Sequence, residues 1–111
     1  MKKTSESIEK FKKGDSGPKY LFRGPHCEWG VIILRPNEQM GAHGHKSVVE
    51  DFYFIEGNPK VMVANTEFKA NPGDAVRAEP GETHNIVNDT DKSIKLVFIK
   101  SPYLPDDKYS I

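Results

Sequence analysis

From Lys19 onward the chain never holds an apolar or alternating run for more than a few residues before Gly, Pro, Asn or Asp interrupts it. A sequence punctuated in this way cannot sustain the 3.6-residue stripe of a long amphipathic helix, and its short period-2 runs point to an all-β sandwich or barrel. The pattern predicts strands near 19–22, 30–35, 43–45, 51–55, 60–65, 75–78, 84–88 and 94–100. The connections agree. Ala70-Asn71-Pro72-Gly73 and Glu79-Pro80-Gly81-Glu82 place proline where φ is already fixed and glycine where a type II turn needs positive φ. Residues 38–42 carry no strand pattern and read as a loop, and the fifteen residues between Gly57 and Gly73 leave room for one hairpin.

In the last predicted strand Ile94, Leu96 and Phe98 share one face while Val97 and Ile99 share the other. Both faces are therefore expected to be covered, the second by a partner subunit or by the apolar tail around Tyr103 and Leu104. Ahead of the strands, residues 1–17 are polar, with only Ile8 and Phe11 at helical spacing, so a frayed segment or one short amphipathic turn is expected there. Residues 18–111 then form a single domain, since 111 residues suffice for one core.

Composition excludes several classes. Sixteen basic side chains balance sixteen acidic ones, and the lysine pairs Lys2-Lys3 and Lys12-Lys13 are interleaved with Glu6, Glu9 and Asp15, so no nucleic-acid partner is expected. No run of eighteen apolar residues is present and the N-terminal stretch lacks a signal-peptide core, so no membrane partner is expected. The single Cys27 fits a reducing compartment, and a cytoplasmic location follows as an expectation. No phosphate-binding glycine loop, nucleophile elbow or Cys-His pair with an orienting partner is visible.

One constellation carries chemistry. His43-Gly44-His45 would aim two imidazoles to one face of a strand, Glu50 opens the next aromatic run, and His84 stands at the foot of a remote strand. Three imidazoles and a carboxylate make a shell for a divalent ion, whereas the fourth histidine, His26, fits no spacing and reads as an ordinary surface residue. Phe52 and Phe54 share the parity of Glu50 and are expected inside. Gln39 and Met40 lead into the His43 strand, and Arg35 and Arg77 are candidates for anion contact, with Arg77 facing outward if Val76 and Ala78 are core.

These residues resemble the cupin family, whose first motif runs G-x5-H-x-H-x3,4-E-x6-G and whose second runs G-x5-P-x-G-x2-H-x3-N. His43, His45, Glu50 and Gly57 meet the first, with Asn37 in place of its leading glycine; Gly73, Gly81, His84 and Asn88 meet the second, with the proline displaced to Pro80. Asn tolerates positive φ better than most residues, so both departures fall on turns. The resemblance implies an all-β jelly-roll (double-stranded β-helix) barrel with one divalent transition metal ion inside, held by His43, His45, Glu50 and His84. It also implies a homodimer.

Imidazole suits Fe, Ni, Cu and Zn, and a carboxylate suits Mn, so the set does not name its ion; four protein ligands would close a tetrahedral zinc but leave an octahedral ion two open positions. The expected function is a small metal-dependent enzyme of dioxygenase, isomerase or decarboxylase type acting on a small polar organic molecule. The alternative is a non-catalytic module that binds or senses a sugar or an organic acid.

Overall fold

The computed structural model describes residues 1–111, and every regular element in it is a strand. In chain order these are β1 (Gly17–Arg23), β2 (Glu28–Leu34), β3 (His43–Gly44), β4 (Val49–Glu56), β5 (Lys60–Val63), β6 (Thr66–Lys69), β7 (Ala75–Ala78), β8 (His84–Val87), β9 (Ile94–Ser101) and β10 (Tyr109–Ser110). They form two five-stranded sheets of order β1-β2-β9-β4-β7 and β10-β3-β8-β5-β6, antiparallel throughout. This is the all-β, two-layered barrel that the short alternating runs predict. No helix is long and apolar enough to cross a membrane.

Two strands escape the pattern. The run predicted at 60–65 ends at Val63, where Ala64 takes φ 52 and the chain reverses; Thr66–Lys69 then returns as β6, with Val63 opposite Thr66. Its solvent-facing Thr-Glu-x-Lys composition hides it. Tyr109–Ser110 is equally short and polar, yet it pairs Tyr109 with Gly44 and Ser110 with His43. A side chain at Gly44 would lie 2.7 Å from the Tyr109 ring, so only glycine admits this close approach. The C-terminal tail thus packs back on its own barrel.

The two inner faces meet in a core of Ile32, Leu34, Phe52, Phe54, Val61, Ile86, Ile94, Leu96 and Phe98, all at most 2% exposed. Each such side chain stabilises the fold by about 1.5–3 kcal/mol relative to an exposed one. Gly57 (φ +87) passes so close to Ile94 that an added Cβ would lie 2.3 Å from its side chain. Asn37 adopts φ 69, the glycine-like conformation expected of it. Asn88, fully buried, donates from Nδ2 to the carbonyls of Leu34 (3.0 Å) and Lys92 (2.8 Å), tying the end of β2 to the turn after β8.

The outer face of the first sheet is covered unevenly. Glu6 reaches Lys95 at 2.9 Å and its carbonyl accepts from Lys19, whose ammonium lies 4.0 Å from the Phe11 ring centroid. Val31, in register with Lys19, is buried on this face. Farther along, Tyr53, Ile55 and Ile99 remain exposed.

Candidate metal centre

His43 on β3, Glu50 on β4 and His84 at the start of β8 point into the barrel, and His45 joins them from just beyond β3. One nitrogen or oxygen of each lies within 4.8 Å of the others, and all four side chains are buried. His43 and His84 are cross-strand partners, so the β3–β8 ladder sets their spacing directly. The Nε2 atoms of His43, His45 and His84 lie 3.6, 3.0 and 2.9 Å from a single oxygen, Glu50 Oε1.

The far side of each ring decides what these nitrogens can do. His43 Nδ1 donates to the Gly41 carbonyl (2.8 Å), His84 Nδ1 to the Glu82 carbonyl (3.3 Å) and His45 Nδ1 to the Asp107 carbonyl. A carbonyl only accepts, so each Nδ1 carries the proton, and in a neutral imidazole Nε2 is then a bare lone pair. Three lone pairs aimed at a carboxylate oxygen repel unless protons or a cation lie among them. Glu50 Oε2, buried without any hydrogen-bond partner, adds a fourth unsatisfied donor atom. A buried polar atom left unpaired costs about 1–3 kcal/mol. One divalent ion would satisfy all four groups, and the backbone carbonyls behind the rings are the outer-shell contacts that orient metal-binding histidines. The donor set therefore fits an ion.

Charge in this cluster is strongly coupled. Burial works to lower the pKa of His45, yet the hydrogen bonds to Glu50 and to the Asp107 carbonyl outweigh it, and the value is raised above 6.5. Burial likewise works to raise Glu50, but the hydrogen bonds that His43, His45 and His84 donate to it when their rings are protonated hold it well below 4.5. The residue that positions His45 is itself fixed: the Asp107 carboxylate accepts from the backbone N–H groups of Lys46 (2.9 Å), Ser47 (2.7 Å) and Val48 (3.0 Å). These hydrogen bonds between the β3–β4 loop and the tail thus aim one ring of the centre.

Access runs through a funnel. An inner pocket of about 120 Å³ touches His43 and Glu50 and is walled by Gln39, Met40, Tyr20 and Phe98. It adjoins a vestibule of about 420 Å³ that itself touches His45 and shares Lys12, Pro18, Tyr20, Lys100 and Lys108 with it. Across the first sheet a charged row runs in register, Arg23 to Glu28 to Lys100 to Glu50 to Ala78. Lys100 donates to Tyr20 Oη (2.7 Å), and Glu28 is held by Arg23 at 3.0 Å.

Sequence reasoning named Gln39 and Met40 but missed Tyr20, Glu28 and Lys100, which strand register brings to the mouth, and Lys108, which the return of the tail places there; no local spacing reveals either. The two arginines considered for anion contact are engaged elsewhere. Arg35 pairs with Asp15 (2.9 Å) and Glu38 (3.2 Å), and Arg77 with Asp51 (2.7 Å) on the outer face. His26 is exposed and distant from the cluster.

No curated protein sequence matches the chain. Among solved structures it is similar to an uncharacterized conserved protein with a double-stranded β-helix domain from Klebsiella pneumoniae (TM-score 0.82, 16% identity, 98% of this chain and 96% of that one). It is also similar to the TT1209 protein of Thermus thermophilus (TM-score 0.80, 20% identity, 92% and 98%) and to KdgF from Halomonas sp. (TM-score 0.72, 18% identity, 81% and 83%). At these identities the likeness is one of fold. The family model for the cupin domain matches residues 30–100, a stretch that contains both sheets' central strands and all four clustered side chains. The chain therefore belongs to the cupin domain family.

Proposed function

We propose that this protein is a metal-dependent cupin enzyme acting on a small polar organic molecule, with one divalent transition metal ion held by His43, His45, Glu50 and His84. The observation that carries the reading is the convergence of three Nε2 atoms on Glu50 Oε1 beside the unpartnered Oε2. An ion bound there supplies Lewis-acid or oxygen-activating chemistry. The chain's own part is to hold the imidazoles by their Nδ1 atoms, to exclude bulk water with Phe52 and Phe98, and to admit substrate past Gln39 and Met40. An apolar wall strengthens every electrostatic contact made inside it.

The reading includes a homodimer formed through the uncovered apolar face of Tyr53, Ile55 and Ile99, and a cytoplasmic location in keeping with the free Cys27.

Elemental analysis by mass spectrometry of untagged protein purified without chelator tests the centre. Near-stoichiometric iron, manganese, nickel or copper is expected, followed by metal-dependent turnover in substrate screens that begin with oxygen consumption. Protein that takes up none of these ions on reconstitution would overturn the enzyme reading in favour of a binding module. So would saturable ligand binding that is indifferent to the ion and gives no turnover.

A further inference from the structure

Three segments far apart in sequence bring lysines to one mouth. Lys12 comes from the N-terminal segment, Lys100 from the inner face of β9 and Lys108 from the C-terminal tail, and all three line both the inner pocket and the vestibule. Lys13 joins them at the inner pocket. Neither Lys12, Lys13 nor Lys108 forms an ion pair. Of the carboxylates nearby, Glu28 is engaged by Arg23 and Lys100 and Asp107 by three backbone N–H groups, while Glu50, at the inner end of the pocket, turns its Oε1 to the three imidazoles.

The crowding has an electrostatic consequence. Burial and the charges of Lys12 and Lys100 push the Lys108 ammonium below its ordinary value. Like charges held together around a concave, partly dry surface are unfavourable in the empty protein and become favourable when an anion enters.

Lys100 is the structured member of the set. Its side chain is 17% exposed, it stands cross-strand from Glu50, and its Nζ donates to Tyr20 Oη at 2.7 Å. An ammonium only donates, so the phenol oxygen accepts and the Tyr20 O–H is left free to donate into the cavity. One fixed cation and one free hydroxyl donor thus face the same space, with flexible lysines at its rim. The inner pocket, about 120 Å³, has room for a group the size of a few water molecules, each taking about 30 Å³. A longer body would extend into the vestibule.

We propose that this funnel recognises a small organic anion, a carboxylic acid or a phosphate ester, whose charged group is met by Lys100 and Tyr20 and steered by Lys12 and Lys108. This deepens the enzyme reading above by naming its substrate class, and rests on that reading for the claim that the bound anion is a substrate.

The test uses the full chain, chelator-treated, so that the ion contributes nothing to binding. Calorimetric titration at low salt compares succinate with the neutral succinamide, and glycerol 3-phosphate with glycerol. At least one anion is expected to bind roughly tenfold more tightly than its neutral counterpart, with the preference shrinking as salt is added. The stronger of the two names the head group. Lys100→Met is expected to remove the preference. The double variant Lys12→Gln/Lys108→Gln, confined to surface side chains that the fold does not need, is expected to weaken it roughly fivefold. Equal affinity for charged and neutral probes, or a preference unchanged in both variants, would overturn the proposal. Metal content measured on the same preparations after reconstitution separates the two readings: anion binding without metal uptake defeats the metal centre alone, and metal uptake without anion preference defeats the anion site alone.

Discussion

His45 shows how one residue can be read both from sequence and against it. Its pairing with His43 across a single glycine announces two rings on one side, and the structure brings both to Glu50. What spacing cannot show is that β3 stops at Gly44 and that the carbonyl of Asp107, more than sixty positions away, sets the His45 tautomer. His45→Ala and His84→Ala are each expected to weaken metal binding by roughly 100-fold or more, beyond the 10–100-fold typical of losing an outer-shell partner, while His26→Ala leaves metal content unchanged. Competitive titration against a chromophoric chelator checks both. The pH response has a definite sign. Because the His45 pKa is raised in the metal-free protein, the stability it contributes is fully present below 6.5 and is lost as pH rises through the raised value. Metal binding needs the unprotonated ring, so its stabilisation runs the opposite way and fades on acidification. Melting curves across this window should therefore diverge between chelator-treated and metal-loaded protein as pH increases. An identical pH dependence in the two would refute the shared site.

At the scale of elements, most strands were legible because alternation reports burial on one face. The inward Glu50, Phe52 and Phe54 and the outward Asp51, Tyr53 and Ile55 of β4 follow the parity expected. β6 and β10 were not legible, since their pairing depends on neighbours and not on their own apolar content. The charged row from Arg23 to Glu50 was hidden for the same reason: it exists only once β1, β2, β9 and β4 are in register. Two elements make testable predictions. Gly44→Val would drive a side chain into the Tyr109 ring, so it should detach β10, expose the tail to proteolysis and lower metal affinity together. In the loop before β3, Arg35 and a hydrogen bond from its backbone N–H hold Glu38 down to about 2, against an ordinary 4.5. A depressed carboxylate stabilises above its unfolded value and loses that contribution as pH falls through the folded one. Glu38→Gln should therefore flatten the acid-induced loss of stability between about 4.5 and about 2, and a titration of melting temperature that keeps its slope would contradict this.

For the whole molecule, the balance between core and ion decides which can be lost. Saturating an ion at a hundred to a thousand times its Kd stabilises by about 2.7–4.1 kcal/mol, whereas Phe98→Ala alone should cost about 3–5 kcal/mol. The apolar core spans twelve buried residues from both sheets. Chelation is accordingly expected to lower the melting temperature while the cooperative transition survives, as differential scanning calorimetry would show. Loss of the transition would mean that the ion is structural. The anchoring of His45 by the segment around Asp107 also bears on how the molecule comes into being. β9 lies between β2 and β4 in its sheet, and Asp107 must be present to aim the last imidazole. During synthesis the earlier strands wait for their central partner, and the stretch from His84 to Asp107 adds a delay on the order of seconds at about 5–20 residues per second. A nascent chain cut short before Asp107 would carry His43, Glu50 and His84 on their strands but leave the His45 ring without its anchor. A complete four-ligand shell would thus mark a chain whose translation has passed the turn at Asp107.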